Sequence, residues 1–302
     1  MPKRPLYLRV GWLVRDYAMR VWDNSNEDNV LFLASGIAFN ILLAAVPFFL
    51  LLVSGLGYLL GHESKASAQE VSLLLDRLLP AHPETPDSPV HSLLTEVLDK
   101  RGKIGLYSAI GFVWFSTRLF GTLRTTIANV FDIENERGII EGKIFDMQVT
   151  IVSTLLVVAY TALSAYLAIA TTRGAKALTE AGIRTETMGA VEYGFGRFLA
   201  FAVIVLMFFA LYKVLPIRRV RWQTALIASL FTSTMIEVAK NLFTLMVQRM
   251  DPASLYTGSL YAVVIIVTWT YYAALIFLLG GEVGQVFELR RVRRQQREVF
   301  ET

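Results

Sequence analysis

WQTALIASLFTSTMIEVAKNLFTLMVQRMDPASLYTGSLYAVVIIVTWTYYAALIFLLGGEVGQVFE, residues 222–288, is the stretch whose reading decides the fold. It reads as two membrane-spanning helices joined by a short polar turn. The first, Trp222 to Gln248, is apolar on most sides. It carries Ser229, Ser233, Glu237, Lys240, Asn241, Thr244 and Gln248 at recurring three- and four-residue steps, which gathers them on one helix face. The second follows Asp251-Pro252 and runs apolar from about Ser259 to Leu279, ending in Gly280-Gly281-Glu282. A charge near the centre of a bilayer costs about 2.5–3.5 kcal/mol on insertion scales. The stripe bearing Glu237 and Lys240 should therefore face other helices or a wet cavity, and other spans must supply that interior.

The composition agrees. Of 302 residues 54% are hydrophobic, and the mean hydropathy is +0.49, against about 45–50% apolar residues in soluble domains. Cysteine is absent, which removes disulfides, thiol nucleophiles and thiolate metal sites. The net charge of +4 suggests nucleic acid only until the basic residues are located. Most lie in short flanks of apolar runs, where membrane topology places them.

In chain order, residues 1–29 form a basic amphipathic segment in which Leu8, Trp12, Tyr17, Met19 and Trp22 interleave with Arg9, Arg15 and Arg20. Such a segment either lies on anionic headgroups or is a charged lead-in that fixes orientation. Val30 to Gly61 is the first span, too long and too far from the N-terminus for a cleavable signal, with Asn40 and a kink-prone Pro47 inside it. Residues 62–103 are the longest hydrophilic stretch. Leucines there at helical spacing predict two short helices capping the bundle, broken by a proline-rich segment. The three histidines, His62, His82 and His91, all fall in it at no metal-ligand spacing.

Ile104 to about Val130 is the second span, with Arg118, Gly121, Thr122, Thr125 and Asn129 on one face. Arg118 lies deep enough to need a carboxylate, whereas Arg124 can reach the interface. Ile144 to Thr172 is the third span, Arg173 to Tyr193 a polar connection, and Gly194 to Leu215 the fourth span. The domain of spans thus covers 30–288, and 289–302 is a basic tail. Six spans put both termini on one side. That side holds sixteen Lys and Arg and the other nine, so the termini belong in the cytoplasm and 62–103 outside.

Ala34-Ser35-Gly36-Ile37-Ala38-Phe39-Asn40 with Pro47, Ser116-Thr117-Arg118 with Arg124 and Asn129, Glu237 with Lys240, and Tyr256-Thr257-Gly258-Ser259-Leu260 leading to Gly281-Glu282-Val283 resemble the YihY/BrkB family of bacterial inner-membrane proteins, some once labelled ribonuclease BN. The likeness runs from about residue 30 to 288, with departures at Asn40 and Val46-Pro47. It implies an all-α, polytopic, six-helix membrane protein of a family suspected of moving lipids or other solutes. Ribonuclease chemistry is not expected: it needs metal-binding carboxylates and histidines or an acid–base pair, and the span-embedded carboxylates read as Glu237 and Glu282 alone.

The expected function is a transporter or lipid translocator with Arg118, Arg124, Glu237, Lys240, Asn241, Glu282 and Asn40 along a polar path. In the competing view, a scaffold, these charges only pair with one another. No catalysis, cofactor, metal or nucleic acid is expected, and membrane lipids, anionic ones included, are the expected partners. Arg118 is expected to pair with Glu237 first and Glu282 second. Glu282, just past the apolar run, could instead simply cap a helix end.

Overall fold

The computed structural model describes residues 6–59, 101–133, 138, 140–151, 185–216, 220–249 and 259–300. Every regular element among them is helical: α1 (Leu6–Glu27), α2 (Val30–Leu59), α3 (Arg101–Val130), α4 (within 140–151), α5 (Thr185–Val214), α6 (Trp222–Arg249) and α7 (Ser259–Phe300). Among the described residues, Val30–Leu51, Trp222–Val247 and Val263–Arg293 are long and apolar enough to cross a membrane, and Phe201–Val214 is a shorter apolar run. The 30-residue α3 is not in that set. Arg101, Lys103, Arg118, Arg124 and its threonines dilute its hydropathy.

The last helix is the hub. α7 packs against α1, α2, α3 and α6, while α2 lies along α3 and α5 lies along α6. The shared core brings together Val30, Ala34 and Ile37 of α2, Ile127 and Val130 of α3, Tyr212 of α5, Ala228 of α6 and Leu278 of α7. Outward faces are apolar as well, with Leu31, Phe32, Phe39, Trp114, Val263 and Val264 exposed. Apolar surface inside and out suits helices that are solvated by lipid.

Small residues let α7 approach its neighbours. A methyl group added at Gly280 would stand 1.9 Å from Thr232 Oγ1 and 3.1 Å from the Ala228 carbonyl oxygen, and one at Gly281 2.9 Å from Val130 Cγ1. Close backbone approach through small residues is how helices gain contact where lipid already satisfies apolar side chains. At this crossing the Tyr212 hydroxyl is 2.7 Å from Thr232 Oγ1 and donates to the Phe277 carbonyl, and its ring stacks on Phe277 at 4.9 Å. The hydroxyl of that buried tyrosine thus has its partners.

Three boundaries differ from the sequence reading. α7 does not end at Gly280-Gly281-Glu282 but continues unbroken to Phe300, through the segment read as a tail. Its glycines serve packing, not termination. Residues 185–193, read as part of a polar connection, already belong to α5, where Glu186, Met188, Ala190 and Glu192 favour helix beyond its apolar part. α3 starts at Arg101, ahead of Ile104. The proposed capping helices with the three histidines, and the third span beyond residue 151, lie outside the described residues.

Candidate functional site

Two helix ends and one mid-helix residue build the site. α1 stops where Asn29 takes the left-handed conformation (φ 53°), after the Asp28 amide has bonded the Asn24 carbonyl at 2.9 Å. Asparagine tolerates that conformation, and the carbonyl of Asn29 then accepts the first amides of α2, from Phe32 and Leu33. α3 ends in the same manner. Asp132 has φ 48°, and the Ile133 amide reaches back to the Ala128 carbonyl at 2.9 Å, a left-handed helix stop. These two stops carry Asp28 and Asp132 to the flank of α7 occupied by Glu282.

Glu282 is wholly buried, at 0% exposure. Among the described residues neither of its carboxyl oxygens has a hydrogen-bond partner. The groups facing it are the carboxyls of Asp28 and Asp132 and the Asn24 amide. Asp28 is near enough to share a hydrogen bond with Glu282 once a proton lies between them. Burial, and then the negative charges of Asp132 and Glu27, hold the Asp28 carboxyl above its ordinary range, partly offset by the nearby Glu282 carboxyl.

Around this pair the polar groups are engaged. Asn24 Nδ2 donates to Gln285 Oε1 at 3.0 Å, and Gln285 Nε2 donates to Asp132 Oδ2 at 2.7 Å. The cations at hand on α1 and α7, Arg20 and Arg290, are both drawn to Asp16. Tyr17 donates to the Val283 carbonyl with Arg290 over its ring, which clamps α1 onto α7 beside the junction. Three carboxyls therefore converge without an adjacent cation among the described residues. Of the three only Glu282 is fully buried, Asp28 being half-buried and Asp132 exposed, and burying a carboxylate requires a counter-charge, donors or a proton.

The residues singled out in the sequence scatter over several places. Arg118 is exposed on α3 and among the described residues pairs with neither Glu237 nor Glu282. Glu237 instead meets Lys240 one turn along its own helix, at 2.6 Å, because an i,i+3 partner needs no helix-to-helix approach. Asn241 is exposed beside them and donates to the Glu237 carbonyl at 2.9 Å. Asn40 does bridge helices, donating to Thr122 Oγ1 at 3.1 Å and to the Gly36 carbonyl at 2.9 Å. Arg124 does not reach out to the interface. It turns to Asp146 of α4 at 3.3 Å, with both side chains largely buried.

Asp146 thus adds a buried carboxylate to the two read from sequence, and Glu282 is no helix cap. A polar residue at the entry to an apolar run was the available sign of Asp146. Nothing local marks Asp28, Asp132 or Gln285, which lie in charged or amidic segments like many others. Among the described residues no group of three or more His, Asp or Glu has the arrangement to hold a metal ion.

Comparison with known proteins places the chain in a family. A family model described as virulence factor BrkB matches residues 21–300. A UPF0761 membrane protein of Alteromonas mediterranea is 24% identical over 98% of this chain and 97% of its own length. One of Psychromonas ingrahamii is 25% identical over 90% of this chain and 87% of its own, and one of Kangiella koreensis 27% over 90% and 63%. No solved structure matches the chain.

Proposed function

The chain belongs to the virulence factor BrkB family of membrane proteins, and from that premise we propose that it is an inner-membrane transporter or lipid translocator in which Glu282 holds an exchangeable cation, a proton included. In this reading six spans cross the membrane, both termini are cytoplasmic and residues 62–103 are outside. The chain is not an enzyme, and it engages membrane lipids and not nucleic acid.

The observation that carries the proposal is the wholly buried Glu282 carboxyl facing two more carboxyls. If intramembrane charges served only the fold, each would be expected beside its opposite. Arg124 with Asp146 and Lys240 with Glu237 meet that description; Glu282 does not. A buried acid that must borrow a mobile cation suits coupling between ion and solute. The scaffold reading draws its support from the two satisfied pairs.

The test is flux through vesicles of phosphatidylethanolamine and phosphatidylglycerol containing the purified full chain. Wild type should move a fluorescent phosphatidylglycerol between leaflets, or protons after a pH jump, well above protein-free vesicles. Glu282→Gln should fold equally well and lose at least tenfold in rate. Wild-type flux no higher than in empty vesicles would leave the scaffold reading standing, and full flux through Glu282→Gln would remove Glu282 from the path.

A further inference from the structure

Beyond the carboxyl junction, toward the end of α7, the surface changes sign. The end of α5, the start of α6 and the last turns of α7 border an open cleft of about 400 Å³, lined by Lys213, Arg221, Trp222, Gln223, Arg291 and Gln295. We propose that this cleft binds the phosphate of an anionic membrane lipid. The proposal stands apart from the transport reading: it concerns a bound lipid, whatever the chain moves.

Three cations from three separate elements converge there, and their contacts within the protein leave donors to spare. Lys213 donates to the Val220 carbonyl, Arg291 gives one guanidinium nitrogen to Gln223, and Arg221 stands 3.7 Å from Glu288, whose other oxygen accepts from Thr224. Each guanidinium has five N–H donors in a planar fork that matches two phosphate oxygens at once. Gln295 adds a neutral amide that can donate without adding charge.

The surroundings favour a lipid over a soluble anion. Trp222 is 59% exposed at the rim, and Val292, 40% exposed, stands on α7 in the turn that joins Arg291 to Gln295. Exposed indole and aliphatic side chains next to a cationic cleft form the two-part surface that matches a headgroup and its acyl chains. Basic pockets between spans are where anionic headgroups settle. A free phosphate would gain nothing from the apolar flank.

The experiment titrates the full chain in zwitterionic detergent with dioctanoyl phosphatidylglycerol, dioctanoyl phosphatidylcholine and inorganic phosphate, with bound lipid read by native mass spectrometry. Phosphatidylglycerol should bind saturably and more weakly as salt is raised. Lys213→Gln, Arg221→Gln and Arg291→Gln should each weaken it by about fivefold, the share of one cation near an anionic surface. Because Lys213, Arg221 and Arg291 also hold neighbours, Gln295→Glu serves as the second variant: it removes no contact named here, adds a negative charge to the cleft and should weaken binding similarly. Equal binding of phosphatidylcholine, or unchanged phosphatidylglycerol affinity in Gln295→Glu and Lys213→Gln, would overturn the site. Competition by inorganic phosphate at equal affinity would overturn the assignment to a lipid.

Discussion

Glu237 and Glu282 lie on adjacent, packed helices and are both glutamates within apolar stretches, yet the protein surrounds them in opposite ways. The Glu237 side chain is 31% exposed and has its cation three residues away on the same helix. Glu282 is sealed in, and what faces it comes from two chain segments more than 140 residues distant, each delivered by a left-handed helix stop. A satisfied charge at the surface of a span is a local arrangement that costs little to keep. An unsatisfied one at a junction of helices has to be assembled by the whole fold, and it persists only with something to offset it.

The contrast can be sharpened first at a buried charge that does have its opposite. Arg124→Ala should leave Asp146 buried without its guanidinium and destabilise the chain by about 3–5 kcal/mol, the range for breaking such pairs in soluble proteins. Thermal unfolding in detergent measures this, and a loss no larger than that of an exposed pair would mean that Arg124 does not hold α4 to α3. Next, Gly280→Ala drives a methyl group into Thr232 and toward the α6 backbone. It should cost about 1–3 kcal/mol, as overpacking does. Unchanged stability would show that α6 and α7 can separate freely above the carboxyl junction.

A smaller effect should follow pH. The folded chain holds the Asp28 proton more tightly than the unfolded chain does, for the reasons of burial and neighbouring charge given above. The stability contributed by that proton is fully present below the ordinary value of 3.8 and lost as pH rises through the higher folded value. Melting temperature should therefore decline over that window in wild type and less steeply in Asp28→Asn. Parallel curves for the two proteins would remove Asp28 from the junction. The smallest change is expected at the exposed pair: Lys240→Met should shift stability by no more than about 1 kcal/mol. A larger loss would erase the difference between the two glutamates.

Much of the architecture was legible in the sequence. The apolar runs that become α2, α6 and α7 stand out because lipid-facing and core-facing positions are both apolar, so length alone marks them. Asn40 was read as a polar residue inside the first long apolar run, which is helical in α2, and Thr122, its partner, was among the polar residues assigned to one face of the next one. The site was less legible. Gly280-Gly281 before Glu282 has the form of a helix stop, and only the proximity of Thr232, Tyr212 and Val130 shows that the missing side chains make room. Arg118 and Glu237 invited pairing because one interior cation and one interior anion were visible. The structure gives Glu237 a nearer choice, and the relevant anions, Asp28 and Asp132, lie in turns where charge is ordinary. Burial is a property of the assembled chain, so no periodicity in one segment announces it.

The unbroken α7 has a mechanical meaning. At a rise of about 1.5 Å per residue its 42 residues form a rod of about 63 Å, roughly twice the thickness of a hydrocarbon core. Glu282 divides it into an arm of about 35 Å reaching into the bundle and one of about 27 Å that carries Arg290, Arg291, Arg293, Arg294 and Arg297. With no loop between the arms, a tilt of one is a tilt of the other about the point where α1 and the end of α3 grip the helix. The carboxyl junction is then the fulcrum of a lever, and a change in packing there bears on the angle of both arms at once.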